Sequence, residues 1–367
     1  MSWDGTKIKI LAKENGLTLK ELSQSLEVSR QTINDWRKGQ VPRGYHLIQL
    51  SESLGVTPNY FFNVDESNNI SVPLHRTRGV AKVTEVMKEE AFLLAKQYEK
   101  LFLNASDPGL VPVLRIKERS EKNALALATK LRQLSGADSD KPMNYTNLFS
   151  LLSSLNIITV FRDFPAHVKD YAFYCRIHGH RVVFINNETN VLDLIFPLIH
   201  EIVHAIRDEE GNVIDTLEEE DFCDSVAAAT QFPKTYVVSV INTIRGRQKS
   251  IQINQLKEFS RLNGHSIFGI VREIKKLSLS FSLNFYGADV NVKKEFYSIG
   301  DELFRSKNAR DYINLLRLLS PGFLKIIIEQ YKRMSIRRLS ELMGLDSSLD
   351  GRLIVGELNR INDGGDQ

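Results

Sequence analysis

Two histidines and a glutamate form the most chemically specific pattern in this sequence. They belong to the stretch His200-Glu201-Ile202-Val203-His204, which lies in an apolar region with helical spacing. Residues four apart share one face of an α-helix, so both imidazoles can reach one Zn²⁺, and the glutamate between them can hold a water molecule. This spacing indicates a metallopeptidase site. The competing interpretation is an amphipathic helix whose two histidines are solvated or paired with carboxylates.

A peptidase zinc site needs a third protein ligand and one open position. Glu220 and Asp224 are four residues apart on a second predicted helix, so they face the same way. Glu220 can therefore be the third ligand, and Asp224 can hold the outer nitrogen of a ligating histidine and fix its tautomer. Glu218 and Glu219 are rival third ligands, and Cys223 can either touch the metal or serve as a small buried thiol.

The chemistry expected of such a site is peptide hydrolysis. Zn²⁺ polarises the scissile carbonyl and a water molecule, while Glu201 takes a proton from that water and delivers it to the leaving amine. Tyr171, Tyr174 and His178 are candidate partners of the developing oxyanion because they lie on the preceding predicted hairpin. His178 and His180 are two residues apart and form a second pair that can ligate metal.

The residues ahead of the motif predict the elements that position it. Residues 157–161, 171–177 and 181–185 are β-branched and aromatic, which is typical of strands, and His178-Gly179-His180 fits a hairpin turn between the last two. The spacing over 83–103, further upstream, predicts one long helix. Pro197 lies three residues before the motif and predicts a kink in the active helix or a late start, because proline removes a backbone donor.

The first sixty residues have the pattern of a bundle of short helices. Thr18 and Glu21 form a capping box at the start of one helix, and Ser29 caps the next, which closes at Gly39. Such a pair is a helix-turn-helix whose second helix can read base edges, since arginine chelates guanine and glutamine or asparagine chelates adenine. The polar side chains expected on its outer face are Arg30, Gln31, Asn34, Arg37 and Lys38.

The segment LTLKELSQSLEVSRQTINDWRKGQVPRGYHLIQLSESLGV resembles the Xre/Cro repressor family. The likeness covers about residues 5–63 and implies a five-helix domain that binds DNA as a homodimer on half-sites about one helical turn apart. A net charge of only +2 over residues 1–63 leaves open a bundle used for protein contacts. The resemblance implies base readers at Arg30, Gln31, Thr32 and Asn34, and phosphate contacts at Thr18, Arg37 and Lys38.

The histidine motif, the pair Glu220 and Asp224, and the alanine-rich DSVAAATQFP resemble the ImmA/IrrE family of zinc-dependent peptidases. The lead-in of a strand, FINN and a helix adds to the likeness, which covers roughly residues 85–235. It implies a zincin-like domain. Thr230-Gln231-Phe232-Pro233 stands where the family has Leu-Met-Pro, which leaves the register of the second helix open. The implied zinc ligands are His200, His204 and Glu220, with Glu201 as general base.

Length and composition set the class of protein. At 367 residues the chain is too long for one ordinary core, and its hydrophobic fraction of 42% and charged fraction of 25% are those of a soluble globular protein. We expect a helix-turn-helix domain at 1–63, a linker at 64–80, the peptidase domain at 81–235 and a helical C-terminal region at 236–367. The expected fold is mainly α with a small β-sheet, in the α+β class.

Cellular location follows from what the sequence lacks. Because it has no apolar run of about 18 residues and its first residues lack the basic and apolar regions of a signal peptide, we expect a cytoplasmic protein that does not bind membranes. Its two cysteines, Cys175 and Cys223, cannot form a disulfide framework and suit a reducing compartment.

Charge is unevenly distributed along the chain. Residues 193–224 hold eleven acidic residues against Arg207 alone, a net charge of −10, whereas residues 241–340 hold nineteen basic and eight acidic residues, a net charge of +11. The acidic segment favours a cation site, and the basic region can meet nucleic acid or an acidic partner. Alternatively, both are solvated helix faces that pair with each other.

Together these patterns predict a DNA-binding transcriptional regulator with a zinc-dependent endopeptidase domain. The expected partners are a double-stranded DNA operator and a protein substrate, either a repressor or the chain itself, in a mobile-element, stress-response or toxin-antitoxin setting. The alternative is a non-proteolytic repressor or antitoxin whose metal domain only binds a partner protein such as a cognate toxin. A third interpretation has no metal.

Overall fold

The computed structural model describes residues 2–56, 58–63, 70–72, 84–106, 118–208, 217–277, 284–304, 308–345 and 350–363. The chain divides into two compact units, Met1–Asn69 and Ile70–Gln367. Their boundary falls inside the expected linker, of which residues 64–69 and 73–80 lie outside the described residues. The helices after residue 236 belong to the same unit as the histidine motif.

The N-terminal unit is a bundle of short helices. Two short strands, β1 (Ser2–Trp3) and β2 (Phe62–Asn63), pair antiparallel and join the two ends of the unit. The expected fifth helix is a 3-10 turn at Pro58–Phe61. The α-helices of the unit are α1 (Thr6–Glu14), α2 (Leu19–Ser25), α3 (Arg30–Arg37) and α4 (Gly44–Ser53).

Local sequence chemistry explains where these helices begin and end. The Thr18 hydroxyl accepts from the Glu21 N–H, and the Glu21 carboxylate accepts from the Thr18 N–H at 2.8 Å, so the capping box is present. Ser29 caps α3 by accepting from the Thr32 N–H at 3.0 Å. Gly39 follows α3 with φ +119°, a conformation that L side chains rarely adopt. The buried core comprises Ile8, Leu11, Ala12, Leu22, Leu26, Ile33, Trp36, Leu50, Leu54 and Phe61.

The second unit packs helices against a four-stranded sheet. Its strands are β3 (Ile70–Ser71), β4 (Ile158–Arg162), β5 (Ala172–Ile177) and β6 (His180–Asn186). The helices up to the metal motif are α5 (Glu85–Lys96), α6 (Glu99–Leu103), α7 (Glu121–Ser135), α8 (Tyr145–Ser154), α9 (Val191–Arg207) and α10 (Leu217–Gln231). The fold is therefore mainly helical with a small sheet, as expected.

The remaining helices form the C-terminal part of the same unit. They are α11 (Lys234–Ile244), α12 (Lys249–Asn263), α13 (Ile267–Leu277), α14 (Tyr286–Lys293), α15 (Ile299–Phe304), α16 (Ala309–Leu319), α17 (Pro321–Gln330), α18 (Ile336–Met343) and α19 (Gly351–Asn362), with a 3-10 turn at Tyr331–Arg333. No helix in the described ranges combines the length and the apolar character needed to cross a bilayer.

The sheet has the strand order β3-β5-β6-β4. The hairpin of β5 and β6 turns where expected, with Ile177 opposite His180. β4 lies parallel to β6, with Ile158 beside Val182, and β3 pairs antiparallel with β5. The sequence predicted the three longer strands but neither the parallel pairing nor β3, which comes from the expected linker.

Two helix expectations change in the structure. The predicted helix over 83–103 is two helices, α5 and α6, because Tyr98 between them turns inward and donates from its hydroxyl to the Leu342 carbonyl at 2.9 Å. Val83 lies outside the described residues. α9 does not start late: it begins at Val191, six residues before Pro197, and the Asn190 side chain caps it by accepting from the Leu192 N–H at 3.1 Å. The free energy gained by burying the apolar residues of α9 offsets the loss of the backbone hydrogen bond that proline cannot donate.

The C-terminal helices complete two apolar cores. The larger core joins the sheet, α9 and α10 with α16 to α19, for example through Ile199, Phe184 and Phe323. The smaller core is built from α11 to α14 and includes Leu192 from the start of α9. Both cores hold α9 in place, since it contributes buried residues to each of them.

His265 in the smaller core predicts a loss of stability in acid. Its Nδ1 donates to the Ser266 carbonyl at 3.1 Å, and its Nε2 lies 2.7 Å from the Tyr236 hydroxyl, from which a neutral ring can accept. Burial lowers the pKa of His265 to about 4, against smaller opposing effects of Ser266 and Asp289. The unfolded chain therefore binds the proton first, below a pKa of about 6.5.

We expect this depressed pKa to stabilise the fold above pH 6.5 and the stabilisation to disappear as the pH falls toward 4. Between pH 7.5 and 5 the loss is about 2 kcal/mol. Urea unfolding at the two pH values measures it, with His265→Gln as the variant that keeps a hydrogen-bonding side chain and cannot titrate. A pH dependence identical in the variant and the parent chain contradicts this assignment.

Candidate metal centre and DNA-binding helix

Two consecutive helices bring the candidate metal ligands together. His200 and His204 lie one turn apart on α9, and each is 7% exposed. Glu220 lies in the first turn of α10 and is 5% exposed. The apolar residues of α9 place the helix against the sheet, so the two imidazoles face α10.

The three side chains converge on one point. The Nε2 atoms of His200 and His204 are 3.0 Å apart. Glu220 Oε2 lies 3.3 Å from His200 Nε2, and Glu220 Oε1 lies 3.1 Å from His204 Nε2. This group could hold a metal ion, and within the described part of the chain it is the one cluster of three or more such donors.

The geometry and the donor types fit Zn²⁺. In a tetrahedral site with bonds of about 2.0–2.1 Å, neighbouring ligand atoms lie about 3.3 Å apart, which is close to the separations of 3.0 to 3.3 Å found here. Both carboxylate oxygens of Glu220 are buried without an aligned hydrogen bond. A bound cation would compensate these oxygens, which are costly to bury alone. Two imidazoles and one carboxylate also leave a fourth position open.

The outer nitrogens of the two histidines face different partners. Asp224 Oδ1 lies 3.0 Å from His200 Nδ1, an ion-pairing distance without hydrogen-bond alignment. Cys223 Sγ lies 3.8 Å from His204 Nδ1. The thiol therefore contacts the nitrogen that points away from Glu220, and it is not a fourth donor of the cluster. Carboxylates behind ligating histidines fix the ring orientation.

Glu201 faces the sheet beside the cluster. Its Oε2 accepts the backbone N–H of Tyr174 on β5 at 2.7 Å. Desolvation raises the pKa of Glu201 to about 8, while His200 and the Tyr174 N–H oppose that rise. The strand thus fixes the direction of a carboxylate that lies next to the paired imidazoles in the sequence.

The pKa values of the cluster reflect its charge. Burial lowers the pKa of His200, but Asp224, Glu220 and Glu201 together raise it to about 10. Burial alone would raise the pKa of Glu220, yet His200 and His204 bring it well below its ordinary value. The carboxylates around the imidazoles therefore favour positive charge at this point.

The structure separates the three consecutive glutamates. Glu218 has a side chain that is 82% exposed. Glu219 is buried and is held by two arginines: Arg207 Nη2 donates to it at 2.9 Å, with a second contact from Arg207 Nε, and Arg119 Nε donates at 2.6 Å. Burial raises the pKa of Glu219, but the hydrogen bonds from both arginines lower it below its usual value. Glu220 alone of the three reaches the histidines.

Sequence reasoning missed the contacts that fix the end of α9. Arg207 reaches α10 through Glu219, while the next residue, Asp208, reaches the sheet. The Tyr174 hydroxyl donates to Asp208 Oδ2 at 2.6 Å, and Arg181 Nη2 donates to the Asp208 carbonyl at 3.1 Å. The signal was present in the sequence, because the ionisable residues Arg207 and Asp208 directly follow the apolar pair Ala205-Ile206.

The other histidines of the hairpin lie outside the metal cluster. His178 has φ +47° in the turn, and its Nε2 lies 3.8 Å from Glu99. His180 is buried against the Phe102 ring, with centroids 5.2 Å apart. Neither belongs to the donor group. The Tyr174 hydroxyl, a candidate for the oxyanion, is engaged by Asp208.

In the N-terminal unit, α3 carries most of the expected DNA contacts. Arg30 and Gln31 are exposed at its start, and Lys38 is exposed just after its end. Gln31 Nε2 donates to Asp35 Oδ1 at 2.8 Å. Asn34 Oδ1 accepts from Arg37 Nη1 at 3.1 Å. These short-range bonds orient the polar face of the helix.

The other two expected DNA contacts are Thr18, which caps a helix, and Thr32, which contacts the capping residue of the next helix. Thr18 is exposed but uses its hydroxyl and N–H in the capping box with Glu21. The Thr32 hydroxyl lies 2.8 Å from the Ser29 hydroxyl. The Thr18 hydroxyl therefore lies at the start of α2, and the Thr32 hydroxyl lies at the start of α3.

Comparison with known proteins agrees with the N-terminal geometry. Residues 8–61 match the family model described as helix-turn-helix. No curated protein matches the chain. The match spans α1 to α4 and the 3-10 turn, and it supports a DNA-binding regulator. The N-terminal unit of this chain is a helix-turn-helix.

Proposed function

We propose that this regulator carries a zinc-dependent endopeptidase, with His200, His204 and Glu220 as the zinc ligands. The observation that carries the proposal is the convergence of two Nε2 atoms and one buried carboxylate at separations of 3.0 to 3.3 Å. A neighbouring carboxylate, Glu201, supports peptidase chemistry over mere metal storage. The arrangement is the one that resemblance to the ImmA/IrrE peptidases implies.

In this proposal each side chain has a separate task. A bound Zn²⁺ supplies a Lewis acid for the scissile carbonyl and for a water molecule. Glu201 accepts a proton from the water and passes it to the leaving amine, held in direction by the Tyr174 N–H. Asp224 orients His200 from behind. The region of residues 81–235 supplies this machinery, and residues 236–367 complete its cores.

The zinc content of the purified chain tests this proposal. We expect about one zinc per chain, the stoichiometry of one three-ligand site. Asp224→Asn removes the charge behind His200 and is expected to weaken zinc affinity by about 10–100-fold. Competition with a chelator of known affinity measures the change, and Asp221→Asn, one turn earlier on the exposed side of α10, is the matched control. Equal affinities in both variants contradict the role of Asp224.

We further propose that α3 reads the operator in the major groove and that the chain binds as a homodimer. Arg30, Gln31, Thr32 and Asn34 are the proposed base readers, and Thr18, Arg37 and Lys38 the proposed phosphate contacts. The exposure of Arg30 and Gln31 at the N-terminal end of α3 supports this assignment.

Replacing Arg30 or Gln31 with alanine is expected to weaken operator binding by about 1–3 kcal/mol per lost base contact. The reason is that each variant leaves a base edge unpaired in the major groove. Gel shifts or anisotropy at fixed salt measure the loss, once selection from a random DNA library has supplied the operator. Lys9→Ala, an exposed change on α1, is the control. Unchanged affinity in both α3 variants contradicts the docking geometry.

A further inference from the structure

The turn between α11 and α12 carries three exposed basic side chains, those of Arg245, Arg247 and Lys249. They fall within five consecutive residues, 245–249, which we call the basic turn. The surrounding sequence offers no compensating charge, since residues 225–257 contain five basic residues and no acidic one. Any anion that offsets the charge of the basic turn therefore comes from another part of the fold or from a partner.

Packing of α11 against α12 places the basic turn at the end of a helical hairpin. Tyr236 near the start of α11 and Phe259 near the end of α12 have ring centroids 6.1 Å apart, so the chain reverses between the two helices. Gly246 has φ +71°, in the left-handed region that favours glycine. Arg247 Nε donates to the Thr243 carbonyl at 3.1 Å. The basic side chains thus lie on a defined, exposed end of the hairpin.

Ion pairs neutralise several basic side chains elsewhere in residues 241–340. Within the ranges that the structure describes, none of the three basic side chains of the turn takes part in an ion pair. The structure therefore separates charges that the sequence adds together, and those at the turn stay available to a partner. The neutralised residues, at 2.6 to 3.0 Å from a carboxylate, are Arg261 with Glu295, Lys276 with Glu273, Lys293 with Asp193 and Arg337 with Glu341.

A polyanion with closely spaced charges fits three uncompensated cations on one turn. Duplex DNA carries about one negative charge per 1.7 Å of its axis, so neighbouring phosphates can meet all three side chains, and each contact releases counterions. The same chain has a helix-turn-helix at residues 8–61. Once that unit holds a duplex, the covalent connection raises the local concentration of phosphate around the basic turn. These two arguments favour DNA over an acidic protein as the partner.

We propose that the basic turn binds phosphates of the duplex that the helix-turn-helix reads. The inference goes beyond the proposed peptidase and does not depend on it, but it does require that the chain binds DNA. Phosphate contacts fix a protein on the duplex and carry no direct sequence information. The basic turn therefore adds affinity and salt dependence to operator binding, while the choice of sequence stays with the proposed base readers of α3.

The salt dependence of operator binding by the full chain tests this inference. The turn variant combines Arg245→Gln, Arg247→Gln and Lys249→Gln, which removes the charges and keeps polar side chains. We expect the slope of log affinity against log salt to become shallower by about 2–3, because each phosphate contact contributes about 0.9. Affinity at about 0.15 M salt should fall about tenfold. Fluorescence anisotropy measures both on a duplex that extends beyond the operator at each end.

A second variant with the same loss of charge is the matched control. It combines Arg261→Gln, Lys276→Gln and Arg337→Gln, three exposed residues that already have carboxylate partners. Its slope should change by less than about 1. Both variants should melt at the parental temperature, because the substituted side chains lie at the surface. Equal slopes in the two variants would assign the effect to net charge and overturn the inference.

The remaining outcomes separate this inference from its alternatives. The ratio of operator affinity to scrambled-duplex affinity should be the same in the turn variant and the parent chain, and a changed ratio overturns sequence-independent binding. If the parent chain binds poly-glutamate, the turn variant does not, and the slope on DNA is unchanged, the partner is an acidic protein and the inference is wrong. An unchanged slope alone overturns the inference and leaves the helix-turn-helix assignment in place. A parent chain that binds no duplex overturns both.

Discussion

Replacing Glu201 with glutamine is expected to reduce peptide cleavage by about 10²–10⁴-fold while zinc stays bound. The amide cannot accept the proton of the attacking water. It can still accept the Tyr174 N–H, which donates to the native carboxylate at 2.7 Å, so the contact with β5 survives. Zinc content, thermal melting and cleavage rate of the same preparation measure the three effects.

Glu218→Gln is the matched control for this prediction. Glu218 lies two residues before the proposed ligand Glu220, but its side chain is 82% exposed. The control should keep zinc and cleavage at parental values. If Glu201→Gln keeps zinc and cuts as fast as the parent, Glu201 is not the base. If cellular function survives without cleavage, the metal domain acts by binding a partner protein.

The second large effect is expected at the buried pair of Arg207 and Glu219. Arg207→Met should lower the free energy of unfolding of the second unit by about 3–5 kcal/mol, because it removes the buried guanidinium that makes two contacts with the Glu219 carboxylate. The side chains of Arg207 and Glu219 are 5% and 2% exposed, so solvent does little to screen the loss. Urea unfolding in the presence of a chelator measures it without a contribution from metal binding.

Arg261→Met supplies a control with similar chemistry at the surface. Arg261 makes two contacts with Glu295, at 2.7 and 2.6 Å, but both side chains are 45% exposed. Water and salt screen such a pair, and its loss should leave stability nearly unchanged. Equal losses in the two variants would mean that burial does not strengthen the Arg207 contact.

Local patterns in the sequence were sufficient to predict several elements. The capping box at Thr18, the hairpin turn at 178–180 and the i, i+4 pair of histidines each depend on residues within about one turn of each other. The structure has the cap, the turn and the paired histidines at these positions. Interactions of this range are encoded by spacing alone.

Contacts between distant parts of the chain were beyond such reasoning. Arg119 lies 100 residues before Glu219, and Tyr98 lies 244 residues before its partner Leu342. Three consecutive glutamates look alike in the sequence, and only the positions of the arginines separate the buried ion pair of Glu219 from the cluster at Glu220. The parallel pairing of β4 with β6 could not be predicted either, because it depends on how the intervening residues carry the chain back to the start of β6.

The two cysteines give the chain its own reporter of motion. Cys175 lies on β5 next to the residue that binds Glu201, and Cys223 lies behind His204. Both are buried, and the chain has two in total. A thiol reagent can modify them only when the strand or the helix pair opens. The rate at which the reagent modifies these thiols therefore reports how often β5 or the pair of helices α9 and α10 opens. A slower rate in the presence of added zinc would show that the ion stabilises the closed state.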